Sequence, residues 1–187
     1  MNLDHLQILL WSLTYVLIIV SSIKECKNKG RYRPAIPYLA AAMNIGWEVN
    51  AVIVHWSFWG NILWLALDVI IIGLNTGGLK TKREKVQYLG LCVLMIGVFK
   101  LLYMLPEGML ISCFTIDALQ ALLFVLQIRK LSRIFRSTIG LTKMLGDLVA
   151  WLYYKDSAIV VNILGIAVLL LNLFYVAYAL ELSSRRE

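Results

Sequence analysis

Charge is scarce in this sequence, and so are the residues that build soluble domains or metal sites. Only 16% of its 187 residues are charged, while 60% are hydrophobic. A soluble domain of this length carries more charge and fewer unbroken apolar runs, which excludes that class. Cysteine is sparse: Cys26, Cys92 and Cys113 are isolated, with no C-x-x-C and no Cys/His cluster. Neither a disulfide framework nor a zinc site is indicated. The two histidines, His5 and His55, stand far apart and read as interfacial residues rather than metal ligands. No basic n-region precedes the first apolar run, which opens Met1-Asn2-Leu3-Asp4-His5, and no small-x-small cleavage site follows it. That run is expected to remain as a helix. Internal repeats and low-complexity segments are both lacking.

What is present is apolar length. A spanning helix takes about 20 apolar residues, and seven such runs are legible, at about 6–23, 35–56, 59–76, 86–105, 108–128, 136–154 and 158–182. The expected fold is all-α: a single multi-pass domain over 1–187 with short loops and no soluble part. The net charge of +7 lies mostly in alternate loops. The first carries Lys24, Lys27, Lys29, Arg31 and Arg33, the third Lys80, Lys82, Arg83 and Lys85, the fifth Arg129, Lys130, Arg133 and Arg136, and the tail Arg185 and Arg186. The second, around Ser57, and the fourth, Pro106-Glu107-Gly108, carry no cation, and the sixth only Lys155 beside Asp156. This distribution is a topology signal and argues against a nucleic-acid partner. By the positive-inside rule it expects odd loops and the C-terminus in the cytoplasm, the N-terminus outside, and the cell membrane as location.

Ionisable residues inside the spans carry the functional expectation, because each is costly unless it faces a cavity or a partner. Glu48 lies deep in the second run, and Asp68, Lys100, Asp117, Lys143 and Asp147 lie in others. A chain that repeats this cost on most helices is expected to enclose a polar pocket. Helical spacing groups the candidates. Asn44 and Glu48 are i,i+4, with Trp47 adjacent; Asn61, Trp64, Asp68 and Asn75 form one stripe; Cys113, Asp117 and Gln120 share a face. Lys143 and Asp147 are i,i+4 and able to pair, and Asn162 and Asn172 interrupt the last run, with Tyr175, Tyr178 and Glu181 toward the cytoplasm.

Several of these have plainer uses. Asn50, Asn162 and Gln120 read as polar glue between helices, Lys143 with Asp147 as a self-neutralising pair, and Lys100 as a snorkelling cation. Trp56, Trp59, Tyr103, Trp151, Tyr153 and Tyr154, near the proposed outer ends, read as an interfacial aromatic belt. Asp68 and Asp117 are deeper, and Glu48 is the strongest functional candidate. Chemically, an apolar cavity disfavours the charged form of a carboxylic acid, and a protonated acid can donate to a substrate and then act as a base. Aromatic faces such as Trp47 and Trp64 stabilise a cation. Acid, aromatic lining and exclusion of water suit carbocation chemistry, since water quenches the cation. The same parts also suit a proton-coupled transporter.

Tyr32-Arg33-Pro34-Ala35-Ile36-Pro37 followed by Asn44-Ile45-Gly46-Trp47-Glu48 resembles the second-helix motif of the integral-membrane terpene cyclases of fungal meroterpenoid and indole-diterpene biosynthesis and their bacterial relatives. Leu67-Asp68-Val69-Ile70 is similar to the family's Asp-bearing third helix. Arg136-Ser137-Thr138-Ile139-Gly140 with Lys143 through Gly146 resembles its fifth loop and sixth helix, and Asn172-Leu173-Phe174-Tyr175 with Glu181 its last helix. The resemblance implies seven helices and a protonation-initiated, metal-independent cyclisation of a prenylated small molecule entering from the bilayer, with no cofactor. It implies Glu48 as the catalytic acid, aided by Asp68 and oriented by Asn44, with Trp47, Trp64, Asp117, Asp147 and Tyr175 contacting substrate. The family's second acid, an Asp on helix seven, corresponds to Asn172 here. An Asn donates no acidic proton, so Asp68, Asp117 or Asp147 substitutes, or the reaction differs, or the chain is a non-cyclase relative. Two other classes stay open: a small-solute or proton-coupled transporter, which requires a path through the membrane with two gates, and a scaffold or sensor, whose polar groups pair off and leave no cavity.

Overall fold

A computed structural model describes residues 3–29, 32–55 and 58–184. Arg31, Trp56, Ser57, Arg185 and Arg186, assigned above to loops, aromatic belt and tail, lie outside the described residues. The described chain is all-α, with seven helices: α1 (Leu3–Lys29), α2 (Tyr38–Val54), α3 (Trp59–Gly78), α4 (Lys82–Tyr103), α5 (Gly108–Gln127), α6 (Arg136–Tyr154) and α7 (Ile159–Ser184).

The boundaries follow local chemistry. Pro34 and Pro37 cannot extend a helix from its interior, so α2 starts after Pro37, at 38 rather than the expected 35. α1 runs on through Lys24 and Lys27, which sequence reading placed in a loop. α4 opens on a capping box: Glu84 N donates to Thr81 Oγ1 at 3.1 Å and Thr81 N to Glu84 Oε2 at 2.9 Å.

Five helices, α1, α3, α4, α5 and α7, are long and apolar enough to cross a membrane. The other two explain why a strict count falls short of the seven expected spans. α2 has 17 residues, about 25 Å at 1.5 Å per residue, against about 30 Å of hydrocarbon. α6 carries Lys143 and Asp147 on its buried face. α2 buries most of its residues, packed against α3, α4 and α5, while α6 turns Lys143 and Asp147 inward and exposes Leu141, Leu145 and Leu152. Val93, Leu101, Leu126, Ile163 and Leu170 are likewise exposed on α4, α5 and α7. The chain is a multi-pass membrane protein.

Helix neighbours define a ring, α1–α3–α2–α5–α7–α6 and back to α1, with α4 packed outside against α2 and α5. Close approach of α2 and α4 depends on Gly46, where an added Cβ would meet the Met95 backbone carbon at 2.7 Å and its oxygen at 2.9 Å. Backbone cannot yield as a side-chain tip does, so Gly46→Ala is expected to destabilise by about 1–3 kcal/mol, read as a lower melting temperature in detergent. Asn50 fastens the same pair, its amide donating to Gly46 O at 2.8 Å and to Ile96 O at 2.9 Å. Asn162 accepts from Trp151 Nε1 at 2.9 Å across α6 and α7. Both Asn residues are the interhelical glue that their spacing suggested.

Arg136 departs from expectation. Grouped above with free loop cations, it is 6% exposed. Its guanidinium donates to Ser132 O at 3.3 Å and Leu131 O at 3.1 Å, in the α5–α6 connection. The aromatic belt holds in part: Trp59 and Tyr153 are exposed, whereas Trp151 is bonded to Asn162 and the Tyr103 hydroxyl is buried without a partner.

Candidate functional site: an acid-lined cavity inside the helix ring

The ring holds a narrow cleft of about 50 Å³. It is a slot rather than a chamber. Its walls come from α1 (Trp11, Thr14, Tyr15, Ile18), α2 (Asn44, Trp47, Glu48), α5 (Cys113, Ile116, Asp117, Gln120, Phe124) and α6 (Lys143), with Ile36 and Ile71 completing them.

Glu48 is 3% exposed, and its Oε2 is buried with no hydrogen-bond partner. A buried polar atom without a partner is rare enough to need a reason, and an unmet substrate or water is one. No salt bridge to Glu48 is present among the described residues, so an ionised carboxyl there would be an uncompensated buried charge. Trp47, on the adjacent position, donates from Nε1 to Ser112 Oγ at 3.0 Å, which fixes its indole against the cleft.

Around Glu48 a polar network holds the wall in place. Asn44 Nδ2 donates to the Tyr15 hydroxyl and, at 3.2 Å, to Asp68 Oδ1. Tyr15 donates to Asp68 Oδ2 at 3.4 Å, and Gln120 Nε2 donates to Asn44 Oδ1. Two expectations change here. Asn44 orients Asp68, not Glu48. Asp68, 1% exposed, sits behind Asn44 and Tyr15 and does not line the cleft. It is a positioning group. Gln120, expected to be glue, links α5 to α2 and also lines the cleft.

A second cluster closes the α5–α6 side. Lys143 Nζ lies 3.0 Å from Asp117 Oδ1 and 2.7 Å from Asp147 Oδ2. Asp147 also accepts from Asn172 Nδ2 at 2.7 Å and from Trp11 Nε1 at 3.0 Å. The i,i+4 pairing of Lys143 and Asp147 is present, but as part of a larger cluster. Asp117 Oδ2 is buried with no partner. Asp147 and Asn172 stand behind Lys143 and Trp11, outside the cleft. The expected substrate contact of Asp147 and the catalytic position of Asn172 therefore do not hold geometrically: Asn172 buttresses Asp147. Tyr175 is also away from the cleft, packed on Phe124 with ring centroids 5.2 Å apart. Trp64 lies outside it too, its Nε1 donating to Ser12 Oγ at 3.2 Å.

Trp64 belongs instead to a mouth of about 230 Å³ lined by Gln7, Trp11, Trp47, His55, Phe58, Asn61, Met109, Cys113 and Tyr154. These residues come from the starts of α1, α3 and α5 and the ends of α2 and α6, so this is the end of the bundle bearing the second, fourth and sixth loops. Trp11, Trp47 and Cys113 line both spaces. At the other end Ile18, Ile36, Ile71 and Phe124 belong to one apolar core with Ile128, Leu131, Ile139 and Tyr175. Because Cys113 lines the mouth, a small methanethiosulfonate added to Cys26→Ser/Cys92→Ser protein is expected to label it; no labelling by mass spectrometry would refute access from this end.

The α1 wall was missed from sequence. Trp11, Thr14, Tyr15 and Ile18 recur at three- and four-residue spacing, as do Gln7, Ser21, Ser22 and Glu25, so a stripe was there to be read. It carries no central charge and drew no attention. Among the described residues no group of three or more His, Cys, Asp or Glu is arranged to hold a metal ion. Comparison with protein-family models, with curated proteins and with solved structures gives no match.

Proposed function

We propose that this chain is a membrane-embedded terpene cyclase-like enzyme, in which Glu48 starts cyclisation of a prenylated small molecule by protonating an epoxide or alkene. The observation that carries the reading is the Glu48 carboxyl on an interior, aromatic-walled cleft, with Oε2 buried and unpartnered. A carboxyl with an unpartnered oxygen and no salt bridge among the described residues is placed to give its proton to a substrate. The indoles of Trp11 and Trp47 and the ring of Phe124 supply π-faces to the cation that forms. The slot leaves little room for water beside a chain, which protects that cation.

The two competing classes fit less well. A transporter needs a second gate, and at the end opposite the mouth the cleft is lined by Ile18, Ile36, Ile71 and Phe124, which offer a solute no polar group. A scaffold pairs its buried polar groups, and Glu48 Oε2 and Asp117 Oδ2 are unpaired. We further infer that substrate enters from the bilayer at the mouth. We also infer that the odd loops face the cytoplasm of a cell membrane, as the cation distribution favours.

The test is direct. Purified protein in lipid nanodiscs is given farnesyl acetate carrying a terminal epoxide, and products are resolved by gas chromatography with mass spectrometry. A cyclic isomer of the substrate, absent with heat-denatured protein, is expected. No consumption of this probe removes the reading.

A further inference from the structure

We propose that Asp117 is the base that ends the reaction Glu48 begins, so that two carboxyls on one cleft give and recover a single proton. This rests on the acid-initiated reading above.

Four carboxyls surround the cleft, and their partners sort them. Asp68 has both oxygens held, Oδ1 by Asn44 and Oδ2 by Tyr15. Asp147 has both held by three donors, Trp11 on Oδ1 and Lys143 with Asn172 on Oδ2. A proton arriving at either displaces an existing donor, and neither lines the cleft. Glu48 and Asp117 do line it, and each keeps one buried oxygen free.

Their surroundings then separate the two roles. Asp117 has the Lys143 ammonium on Oδ1 at 3.0 Å, while Oδ2 remains free to take a proton with no bond broken. Glu48 has no cation in salt-bridge contact among the described residues. That asymmetry of partners assigns the proton donor to Glu48 and the acceptor to Asp117. The remaining titratable groups at the cleft are Lys143, already paired with Asp117 and Asp147, and Tyr15 and Cys113, side chains that are ordinarily much weaker acids than a carboxyl.

The reaction balances without a co-reactant. The Glu48 O–H bond breaks as the proton joins the epoxide oxygen, and a C–O bond opens to leave a tertiary cation. Alkene π-pairs close the rings and move the cation along the chain. A C–H bond beside the final cation then breaks, its electron pair becomes the new alkene, and the proton goes to Asp117 Oδ2. The product is an isomer of the substrate. After release, one water in the cleft, whose volume is about 50 Å³, carries the proton from Asp117 back to Glu48; that volume suffices for a water.

The experiment compares wild type, Glu48→Gln and Asp117→Asn in nanodiscs with the same epoxide probe. Asp117→Asn is expected to keep opening the epoxide but to lose its ordered ending: the ratio of alkene to water-captured alcohol falls at least about tenfold, within the range of general-base effects. Wild-type alkene ratio and rate in Asp117→Asn would overturn the inference while leaving the acid-initiated reading intact. Complete loss of epoxide opening in folded Asp117→Asn would also overturn it, since Asp117 would then act in initiation. An inert wild type, or an undiminished Glu48→Gln, would remove the underlying reading. Should Asp117→Asn fail to fold, Asp117→Glu decides. Moving the carboxylate by one methylene changes which hydrogen it reaches, so a shifted ratio of alkene isomers is expected, and an unshifted ratio overturns the assignment.

Discussion

Glu48→Gln is expected to lower turnover of the epoxide probe by about 100- to 10,000-fold, the span that removal of a positioned general acid produces, and to leave the protein folded. The two halves of this expectation come from the same geometry. Glutamine has the shape of a protonated glutamate, so the 3% exposed site is filled as before. Oε2 makes no hydrogen bond, so substitution breaks none there. What disappears is the acidic proton on the cleft wall: Asp68 is behind Asn44 and Tyr15, Asp147 is behind Lys143, and Asp117, on the same wall, holds the Lys143 ammonium on Oδ1. Glu48→Asp withdraws the carboxyl by one methylene and should retain intermediate activity. Tyr15→Phe, which removes one donor from Asp68, should act more weakly, because Asp68 keeps Asn44. The check is single-turnover consumption of the epoxide probe, with melting temperature in the same nanodiscs as control. Full activity in Glu48→Gln would remove Glu48 as the acid.

The seven helices were legible because each apolar run is long and three of the six breaks are marked, by Pro34 and Pro37, by the Thr81 capping box, and by Pro106-Glu107-Gly108. Helical spacing also identified which residues turn inward. Asn61, Trp64, Asp68 and Asn75 are all buried, as one stripe predicts. Spacing does not say which helix a stripe meets. The four members go to different places: Trp64 to Ser12, Asp68 to Asn44 and Tyr15, Asn75 to Tyr32 and Tyr88, and Asn61 to the mouth. The ring order that decides this is set by interhelical packing, for example Gly140 against Tyr175 and Gly146 against Trp11, and no single helix carries it. The same limit made Asp68 look catalytic and hid the α1 wall, whose contribution to the cleft is aromatic and hydroxyl rather than charged. Asn172 shows the point most clearly. Read alone, it is an acid lost from the seventh helix. In space, Asp147 of α6 lies 2.7 Å from its amide, so a carboxylate stands beside that position on the neighbouring helix.

Lys143→Met is expected to destabilise the fold by about 3–5 kcal/mol, the cost of removing one partner from a buried ion pair. Lys143 is 7% exposed and is the only cation in salt-bridge contact with Asp117 and Asp147 among the described residues. Without it, two buried carboxyls face each other with no counter-charge. The loss should appear as a lower midpoint in detergent-induced unfolding. Lys143→Met/Asp117→Asn/Asp147→Asn should recover much of it, because neutral partners require no cation. If the triple variant is no more stable than the single one, packing of the lysine stem, rather than charge, holds α5 and α6. Asn172→Asp probes the same cluster from the other side. It sets a carboxyl where an amide donates to Asp147, replacing a hydrogen bond with like-charge repulsion, and should destabilise. Asn172→Asp with Asp147→Asn restores one acid and one amide across the same 2.7 Å contact, on exchanged helices. Recovery in that double variant, measured as a non-additive cycle, would establish that the two helices share one site for a carboxylate. Purely additive losses would mean that the position on α6 is specific, as expected if the Trp11 and Lys143 donors fix the carboxylate there.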